Sequence, residues 1–193
     1  MTISQQTIGG NSCGACAVSY LVQEIKNYVL GMAEVKTLYS NAQFSNAKGH
    51  VEIVPRSGVY YDYIDPTKLH KQVVNKYKFN CTSYRTKTSL LSGLDQLLTD
   101  PSVVTTGDGL SLIKNGSKRA IGIYDNGAGL HYILTKFENG RFWIKDSNAK
   151  FPQYEAAPFF MIENSCFIAD LNISGMRPVS KTYKYLGACL LVQ

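Results

Sequence analysis

The sequence feature that most constrains the fold is an Asn-Gly pair, Asn139-Gly140, which separates two runs of β-type residues. Such a pair favours a type I′ turn, and a two-residue turn fixes the register of the hairpin. In that register Ile133 faces Asp146, so His131 and Asp146 lie diagonally on one face with backbones about 7 Å apart. A one-residue slip would place the two on opposite faces. The turn therefore predicts a hydrogen bond between an imidazole and a carboxylate.

A second strong feature is a cysteine at the predicted start of a helix near the N-terminus. Asn11 and Ser12 are good N-cap residues, and the residues from Gly14 onward repeat with helical spacing. With Gly31 as the stop, the helix begins close to Cys13 and runs about four turns. Because a helix N-terminus stabilises an anion, Cys13 is expected to favour its thiolate form. The predicted buried stripe, interrupted only by Glu24, comprises Ala17, Tyr20, Leu21, Ile25 and Tyr28.

The rest of the N-terminal half is predicted to be mainly helical. Asp65-Pro66 is a helix-start signal, and Pro101 prevents continuation of the helix before it. Together with apolar residues at helical spacing, these signals predict helices at residues 32–39, 66–79 and 88–98. The segment 40–65 has no periodicity and contains several tyrosines, which predicts a long loop that forms a contact surface or covers the core.

The C-terminal half is predicted to consist of strands. Short β-type runs bounded by Gly, Asn or Asp occur at residues 103–106, 119–124, 130–137 and 141–146. Helices that precede strands, rather than alternate with them, indicate an α+β fold. At 193 residues and 45% hydrophobic, the chain is long enough for one core. We therefore expect a single domain spanning residues 1–193, with a helical part at about 11–100 packed against a C-terminal antiparallel sheet at about 101–193.

Composition argues against several classes of function. The net charge of +6 is spread along the chain, which argues against a nucleic-acid partner and is consistent with a basic surface that prefers an acidic protein. No secretory signal and no membrane span are expected, because the N-terminus and the apolar runs lack the required patterns. Five cysteines, an odd number in a chain this large, favour reduced thiols. No metal site is expected, since no second ligand pair accompanies Cys81, Cys166 or Cys189.

The order of these features resembles the papain-like cysteine proteases, in which a helix opens at a cysteine and a His and an Asp follow on successive strands. The details are most similar to compact bacterial members, namely double-glycine-type peptidases and secreted effector or toxin proteases and glutamine deamidases. The resemblance implies that Cys13 is the nucleophile, that His131 is its base and that Asp146 orients the base. It also implies an oxyanion-hole glutamine before the nucleophile, for which Gln6 is the best match and Gln5 the reserve.

Other interpretations of the cysteines stay open. The run from Cys13 to Cys16 is also similar to the Cys-Gly-Ser-Cys of plant papain, which would make Cys16 the nucleophile, although Ala17 follows it instead of Trp or Tyr. Cys-x-x-Cys at a helix N-terminus is also the arrangement of thioredoxin-like oxidoreductases, but these need a buried strand before the motif, where this chain is polar. A non-catalytic binding module on the same fold is a third alternative. His50 and His70 are expected on the surface.

The papain-like resemblance implies a thiol hydrolase that acts on a protein substrate without metal or cofactor. Protein glutamine deamidation uses the same acyl-enzyme chemistry and is the main alternative. Only twelve residues precede Cys13, too few for a pro-segment that covers a cleft, so restraint by compartment or by a separate inhibitor or immunity protein is expected. These features fit a bacterial effector or toxin delivered into the cytosol of a target cell without a classical signal peptide. A cytoplasmic processing enzyme is the alternative.

Overall fold

The computed structural model describes residues 3, 5–9, 11–43, 64–85, 102, 104–107, 109–115, 118–125, 130–147, 155–157, 166–171 and 179–193. Its α-helices are α1 (Gln5–Ile8), α2 (Cys13–Lys26), α3 (Met32–Ala42) and α4 (Pro66–Lys71), and α4 continues into a π-helical segment, Gln72–Lys76. The strands are β1 (Cys81–Arg85), β2 (Val104–Thr106), β3 (Arg119–Asp125), β4 (Leu130–Glu138), β5 (Arg141–Lys145), β6 (Glu155–Ala157), β7 (Cys166–Leu171) and β8 (Val179–Val192). A 3-10 helix, Ser111–Asn115, precedes β3. The predicted α+β class is confirmed.

The strands form one sheet in the order β2-β1-β8-β3-β4-β5-β6, and β7 also pairs with β8. The sheet is mixed rather than wholly antiparallel, because β1 and β2 run parallel. In addition, β1 lies within the region that was expected to be helical. A parallel pair requires a crossover connection of a dozen or more residues, and residues 86–103 are long enough to provide it. The helix predicted at residues 88–98, and most of the loop predicted at 40–65, lie outside the described residues.

Both faces of the central strands are buried. Consecutive residues of a strand point to opposite faces, and on β4 Leu134 joins the core under the helices whereas Ile133 joins a second core on the other face. The 3-10 helix contributes Ile113 to that second core. A sheet covered on both sides therefore supports the residues at the ends of β4 and β5. The first core includes Val18, Leu21, Leu38, Leu69, Ile121, Leu134 and Leu190, and the second includes Leu110, Ile113, Ile133, Ile144, Tyr185 and Leu191.

Helix α2 is buried more completely at its start than the predicted stripe suggests. Every residue from Cys13 to Val22 is buried, so this part of the helix has no solvent-facing side. At the other end Ile25 and Tyr28, which were expected in the buried stripe, are 43% and 52% exposed. The first turns of the helix are therefore buried in the protein, and its last turn lies at the surface.

The end of α2 is set by an ion pair and a left-handed residue. Glu24, which interrupts the predicted apolar stripe, pairs with Arg119 of β3 at 2.8 Å and with Lys136 of β4 at 3.3 Å. Asn27 has a φ of 51° and ends the helix, since Asn tolerates this conformation better than most residues. Gly31 is thus not the stop of α2 but the residue before α3, where its N–H donates to a Glu34 carboxylate oxygen at 3.1 Å.

The start of α4 agrees with its sequence signal. The Asp65 side chain accepts a hydrogen bond from the N–H of Thr67 at 2.8 Å, and Pro66 occupies the first helical position. Leu69 and Val73, which lie four residues apart, are both fully buried. In the part of the chain that the structure describes, no helix has both the length and the apolar character needed to cross a membrane.

Candidate active site

The β4–β5 hairpin brings His131 next to Asp146. The turn residues Asn139 and Gly140 have φ angles of 53° and 73°, and two positive angles are what a type I′ turn requires. Strand β5 ends at Lys145, so Asp146 follows the last paired residue instead of facing Ile133 within the ladder. The predicted register is confirmed in the pairs Glu138–Arg141, Phe137–Phe142 and Thr135–Ile144.

The hydrogen bond between His131 and Asp146 is short, and both side chains are buried. The His131 Nε2 and Asp146 Oδ1 atoms are 2.6 Å apart, and each side chain is about 1% exposed. A buried carboxylate and imidazole interact more strongly than they would in water, because little solvent screens them. Since Nε2 is engaged by Asp146, Nδ1 is the ring nitrogen that His131 can offer to another group.

Cys13 is the other side chain that interacts with the His131 ring. Burial lowers the pKa of His131, but the hydrogen bonds of Asp146 and Cys13 and their negative charges together raise it to about 10. His131 is therefore an imidazolium at neutral pH, with Asp146 and Cys13 as its neighbours. An imidazolium beside a thiolate is the form in which a cysteine acts as a nucleophile.

Cys13 lies at the first position of α2, as the sequence predicts. It is 2% exposed, and its Sγ lies 3.9 Å from the carbonyl oxygen of Asn11, the long limit for a sulfur hydrogen bond. Ser12 occupies the N-cap position, but its side chain makes no capping hydrogen bond to the helix. The N–H groups of the first helical turn are therefore not capped by the Ser12 side chain.

Cys16 lies one turn farther along α2 and is in a different environment. It is fully buried, and this burial raises the pKa of its thiol to about 12, with Ser12 lowering and Cys13 raising it by smaller amounts. At neutral pH Cys16 is therefore a protonated thiol in the core. The residue that meets His131 is Cys13, and this geometry favours Cys13 over Cys16 as the nucleophile.

The glycine after Cys13 allows close packing between helices. A Cβ atom at Gly14 would lie 2.9 Å from the Ile64 side chain and 3.2 Å from that of Leu69. The start of α2 can thus approach the start of α4 closely because residue 14 has no side chain. This packing explains why a glycine follows the cysteine, apart from any role in catalysis.

The glutamines predicted for an oxyanion hole belong to α1, the short helix just before the site. Gln5 and Gln6 are its first two residues, but their side chains are not among those described, so either assignment stays a prediction. Gly9, with a φ of 88°, follows α1 and turns the chain towards α2. A helix before the Cys-x-x-Cys, where a thioredoxin-like fold needs a buried strand, argues against the dithiol oxidoreductase alternative.

Two tyrosines near the site carry no clear signal in the sequence. The Tyr132 hydroxyl donates to the Ile64 carbonyl at 2.8 Å, and the Tyr20 hydroxyl donates to the Ile3 carbonyl at 2.6 Å. Burial raises the pKa of both, and Cys13 adds to the effect for Tyr132 as Cys16 and Asp146 do for Tyr20. Both therefore stay protonated and tie neighbouring backbone segments to the site. Tyr20 lies two turns after Cys13 on the same helix, which is the one indication available from spacing.

The expectation that His70 lies on the surface is wrong. His70 is 6% exposed, and its Nδ1 lies 2.8 Å from the Ser83 hydroxyl and 3.7 Å from the Cys81 sulfur. It occupies α4 and contacts β1, a strand that the sequence analysis did not predict. His50 lies outside the described residues. Across the described ranges no three His, Cys, Asp or Glu side chains are grouped as metal ligands, and Cys13, Cys16, Cys81 and Cys189 are not in disulfide bonds.

Comparison of the chain with protein-family models, with curated proteins and with solved structures finds no match. The function is therefore inferred from the residues of the site and their geometry.

Proposed function

We propose that this protein is a papain-like thiol hydrolase that acts on a protein substrate, with Cys13 as nucleophile, His131 as base and Asp146 as the residue that orients the base. The observation that carries the proposal is the contact of one buried imidazole with both a carboxylate, at 2.6 Å, and a thiol at a helix N-terminus. A Cys, a His or an Asp taken singly can have a purely structural role, but this order of contacts is the one that nucleophilic catalysis needs.

In the proposed reaction the Cys13 thiolate attacks the carbonyl carbon of the substrate, and a C–S bond forms as the carbonyl oxygen becomes an oxyanion. When the oxyanion collapses, the C–N bond breaks and His131 gives its Nδ1 proton to the leaving nitrogen. His131 then takes a proton from water, whose oxygen attacks the thioester carbon, and Cys13 leaves as a thiolate while the proton stays on His131. The enzyme returns to its starting charged pair.

Asp146 supports this cycle without exchanging a proton. Its bond to Nε2 leaves Nδ1 available to Cys13, and its negative charge stabilises the imidazolium that begins the cycle and forms again in the second half of the reaction. We further propose that the Cys13 N–H and the Gln6 side chain, with Gln5 as the alternative, stabilise the oxyanion. The arrangement of a helix carrying the thiol against a hairpin carrying the base and acid supports the papain-like proposal.

The same acyl-enzyme chemistry serves a peptidase and a protein glutamine deamidase, and we propose peptide-bond hydrolysis first. We also propose that the protein is a bacterial effector or toxin that acts in the cytosol of a target cell, with a cytoplasmic processing enzyme as the alternative. A separate inhibitor or immunity protein would restrain it. No metal or cofactor is part of the proposed mechanism.

The test is intact-mass analysis of proteins from a target-cell extract after incubation with wild type, Cys13→Ala or Cys81→Ser. Cys81→Ser is the matched control, because it removes a second thiol that also lies beside an imidazole. Fragments with wild type and Cys81→Ser, and none with Cys13→Ala, would support a peptidase, whereas a gain of about 1 Da would identify a deamidase. Identical masses with wild type and Cys13→Ala would contradict the proposed hydrolase.

The proposed biological role needs a separate measurement. Wild type and Cys13→Ala are expressed from the same inducible promoter inside host and rival bacterial cells. An effector or toxin is expected to slow growth only when Cys13 is present. Equal growth and an unchanged proteome with both proteins would contradict the toxin role. The proposed hydrolase activity would still be tested by the mass measurement.

A further inference from the structure

A concave site of about 290 Å³ lies beside the C-terminal half of α2, and one of its lining residues, Lys145, directly precedes Asp146. Tyr20, which lines it, is seven residues after Cys13, a separation of about 10 Å along the helix axis. A group bound here would therefore not touch the nucleophile. One wall is apolar and includes Ile3, Val29 and Leu30, and the other is polar and includes Ser19, Gln23 and Lys145.

The polar wall contains a positively charged group held in place. The Lys145 ammonium lies 4.6 Å from the centroid of the Tyr20 ring, a cation–π contact, and the Lys145 side chain is half-buried. Gln23 is exposed and adds an amide. An ammonium beside an amide N–H donor suits a carboxylate, which can accept hydrogen bonds from both.

The charged side chains around the pocket are of both signs. Arg119, Lys136 and Lys145 lie near Glu24, and the exposed Glu138 pairs with Lys136. Glu34 lies beside Tyr28, and Asp146 acts on Tyr20, which lines the pocket. The preference for an anionic ligand therefore comes from the Lys145 ammonium inside the pocket, in a chain whose net charge is +6.

An apolar rim adjoins the pocket. Within the described ranges, all the large hydrophobic side chains that are exposed lie in one short stretch, residues 25–32, and consist of Ile25 (43%), Tyr28 (52%), Val29 (61%) and Met32 (37%). Val29 belongs to both the rim and the pocket. The Tyr28 hydroxyl donates to a Glu34 carboxylate oxygen at 3.0 Å, which limits the motion of its ring before a partner arrives. Exposed aromatic and methionine side chains grouped in this way are typical of protein interfaces.

We propose that the Lys145 pocket and the 25–32 rim together dock an acidic polypeptide segment of a partner protein. A Glu or Asp side chain of the segment enters the pocket and bonds to Lys145, and apolar neighbours in the segment pack on Val29 and the rest of the rim. The occupant is a polypeptide because a pocket of about 290 Å³ holds little more than one side chain, whereas the rim continues beyond it. The proposal is independent of the hydrolase activity, so Cys13→Ala is expected to bind equally.

The experiment measures the binding of two fluorescein-labelled peptides by anisotropy. One has a central Glu flanked by leucines, and the other has Gln in its place. Wild type is expected to bind the Glu peptide about tenfold or more tightly than the Gln peptide, because a charge-assisted hydrogen bond at a half-buried site is lost with Gln. Lys145→Met should remove this preference. Lys71→Met, which removes an exposed charge at the end of α4, is the matched control and should keep it.

A second pair of variants tests the rim without disturbing the core. Val29 is 61% exposed, so Val29→Glu and Val29→Lys should both fold. Val29→Glu is expected to weaken binding of the Glu peptide by about tenfold, and Val29→Lys to keep or strengthen it, because only the sign of the charge at the pocket mouth differs.

Three outcomes would overturn the proposal. The first is equal binding of both peptides by wild type, or binding unchanged by Lys145→Met and Val29→Glu. The second is saturable binding of octanoate without peptide binding, which would identify a site for a small amphiphile. The third is a concentration-dependent dimer that Val29→Glu dissociates, again without peptide binding, which would make a second copy of the chain the occupant.

Discussion

Two cysteine–histidine contacts occur in the described part of the chain. They differ in the element that carries the cysteine and in the second partner of the histidine. Cys13 begins a 14-residue helix, and its partner His131 is bonded to a carboxylate at 2.6 Å. Cys81 lies on strand β1, 3.7 Å from His70, whose Nδ1 is also 2.8 Å from a hydroxyl. Only the first contact places a thiol, an imidazole and an acid in sequence.

The two environments predict different reactivities for the two thiols, although each thiol lies beside an imidazole. Burial raises the pKa of Cys81 to about 12, and the charge of Cys189 adds a smaller increase. A strand has only a small net dipole, so β1 cannot offset this cost as a helix N-terminus can. We therefore infer that His70 and Cys81 are structural, and four predictions test the contrast between the two contacts.

The largest expected effect is on turnover. Cys13→Ala should lower the rate of substrate conversion by on the order of 10⁴-fold or more, because no other group can form the acyl intermediate. Cys81→Ser should stay within about twofold of wild type, since it changes one buried atom far from the reacting carbon. Both rates are measured with the substrate found by intact mass. Loss of activity in Cys81→Ser with Cys13→Ala still active would reverse the assignment.

The second prediction compares the partners of the two histidines. Asp146→Ala should cost about 10²- to 10⁴-fold in kcat with little change in fold, because the imidazole loses its orientation and charge partner, and Asp146→Asn should be milder if orientation matters more. Ser83→Ala should leave kcat unchanged but lower the free energy of unfolding by about 1–3 kcal/mol, because His70 loses a buried hydrogen bond. Urea denaturation and steady-state rates measure the two effects. An Asp146→Ala protein with unimpaired turnover would show that this acid is not catalytic.

The third prediction concerns alkylation. A substoichiometric amount of iodoacetamide near neutral pH should label Cys13 about tenfold or more over Cys16, Cys81 or Cys189, because the thiolate is the reacting species. Cys81 is more exposed than Cys13, so solvent access alone would favour labelling of Cys81. Peptide mapping by mass spectrometry locates the adduct, and Asp146→Ala should reduce the preference. Preferential labelling of Cys16 or Cys81 would contradict the assignment of the nucleophile.

The smallest expected effect is on the pH dependence of stability. Because the pKa of His131 is raised in the folded state, to about 10, its contribution to stability is fully present below the unfolded pKa of about 6.5. The contribution is lost progressively as the pH rises from about 6.5 through 10. Unfolding free energies measured by urea between these pH values should fall for wild type and Ser83→Ala. The fall should be reduced in Asp146→Asn, and an equal slope in all three proteins would contradict the raised pKa.

Much of the candidate site could be predicted because it depends on local interactions. The two turn residues Asn139 and Gly140 set the register of the whole hairpin, and that register is sufficient to align His131 with Asp146. The start of α2 at Cys13 follows in the same way from spacing and capping preferences in one short stretch. The α+β class could be predicted from the order of the elements alone, because the predicted helices precede the predicted strands.

The sequence by itself determined the hairpin, the helix start at Cys13 and the cap at Asp65, because a turn or a cap involves residues close together in the chain. Only the tertiary structure decided that Cys16 is buried, that His70 meets β1, and that the end of α2 is exposed. These properties depend on which distant elements cover a side chain, and spacing within one element carries no information about its neighbours. For the same physical reason the 25–32 rim, predicted in part as core, was recognisable as a surface only once the helix was seen against the sheet.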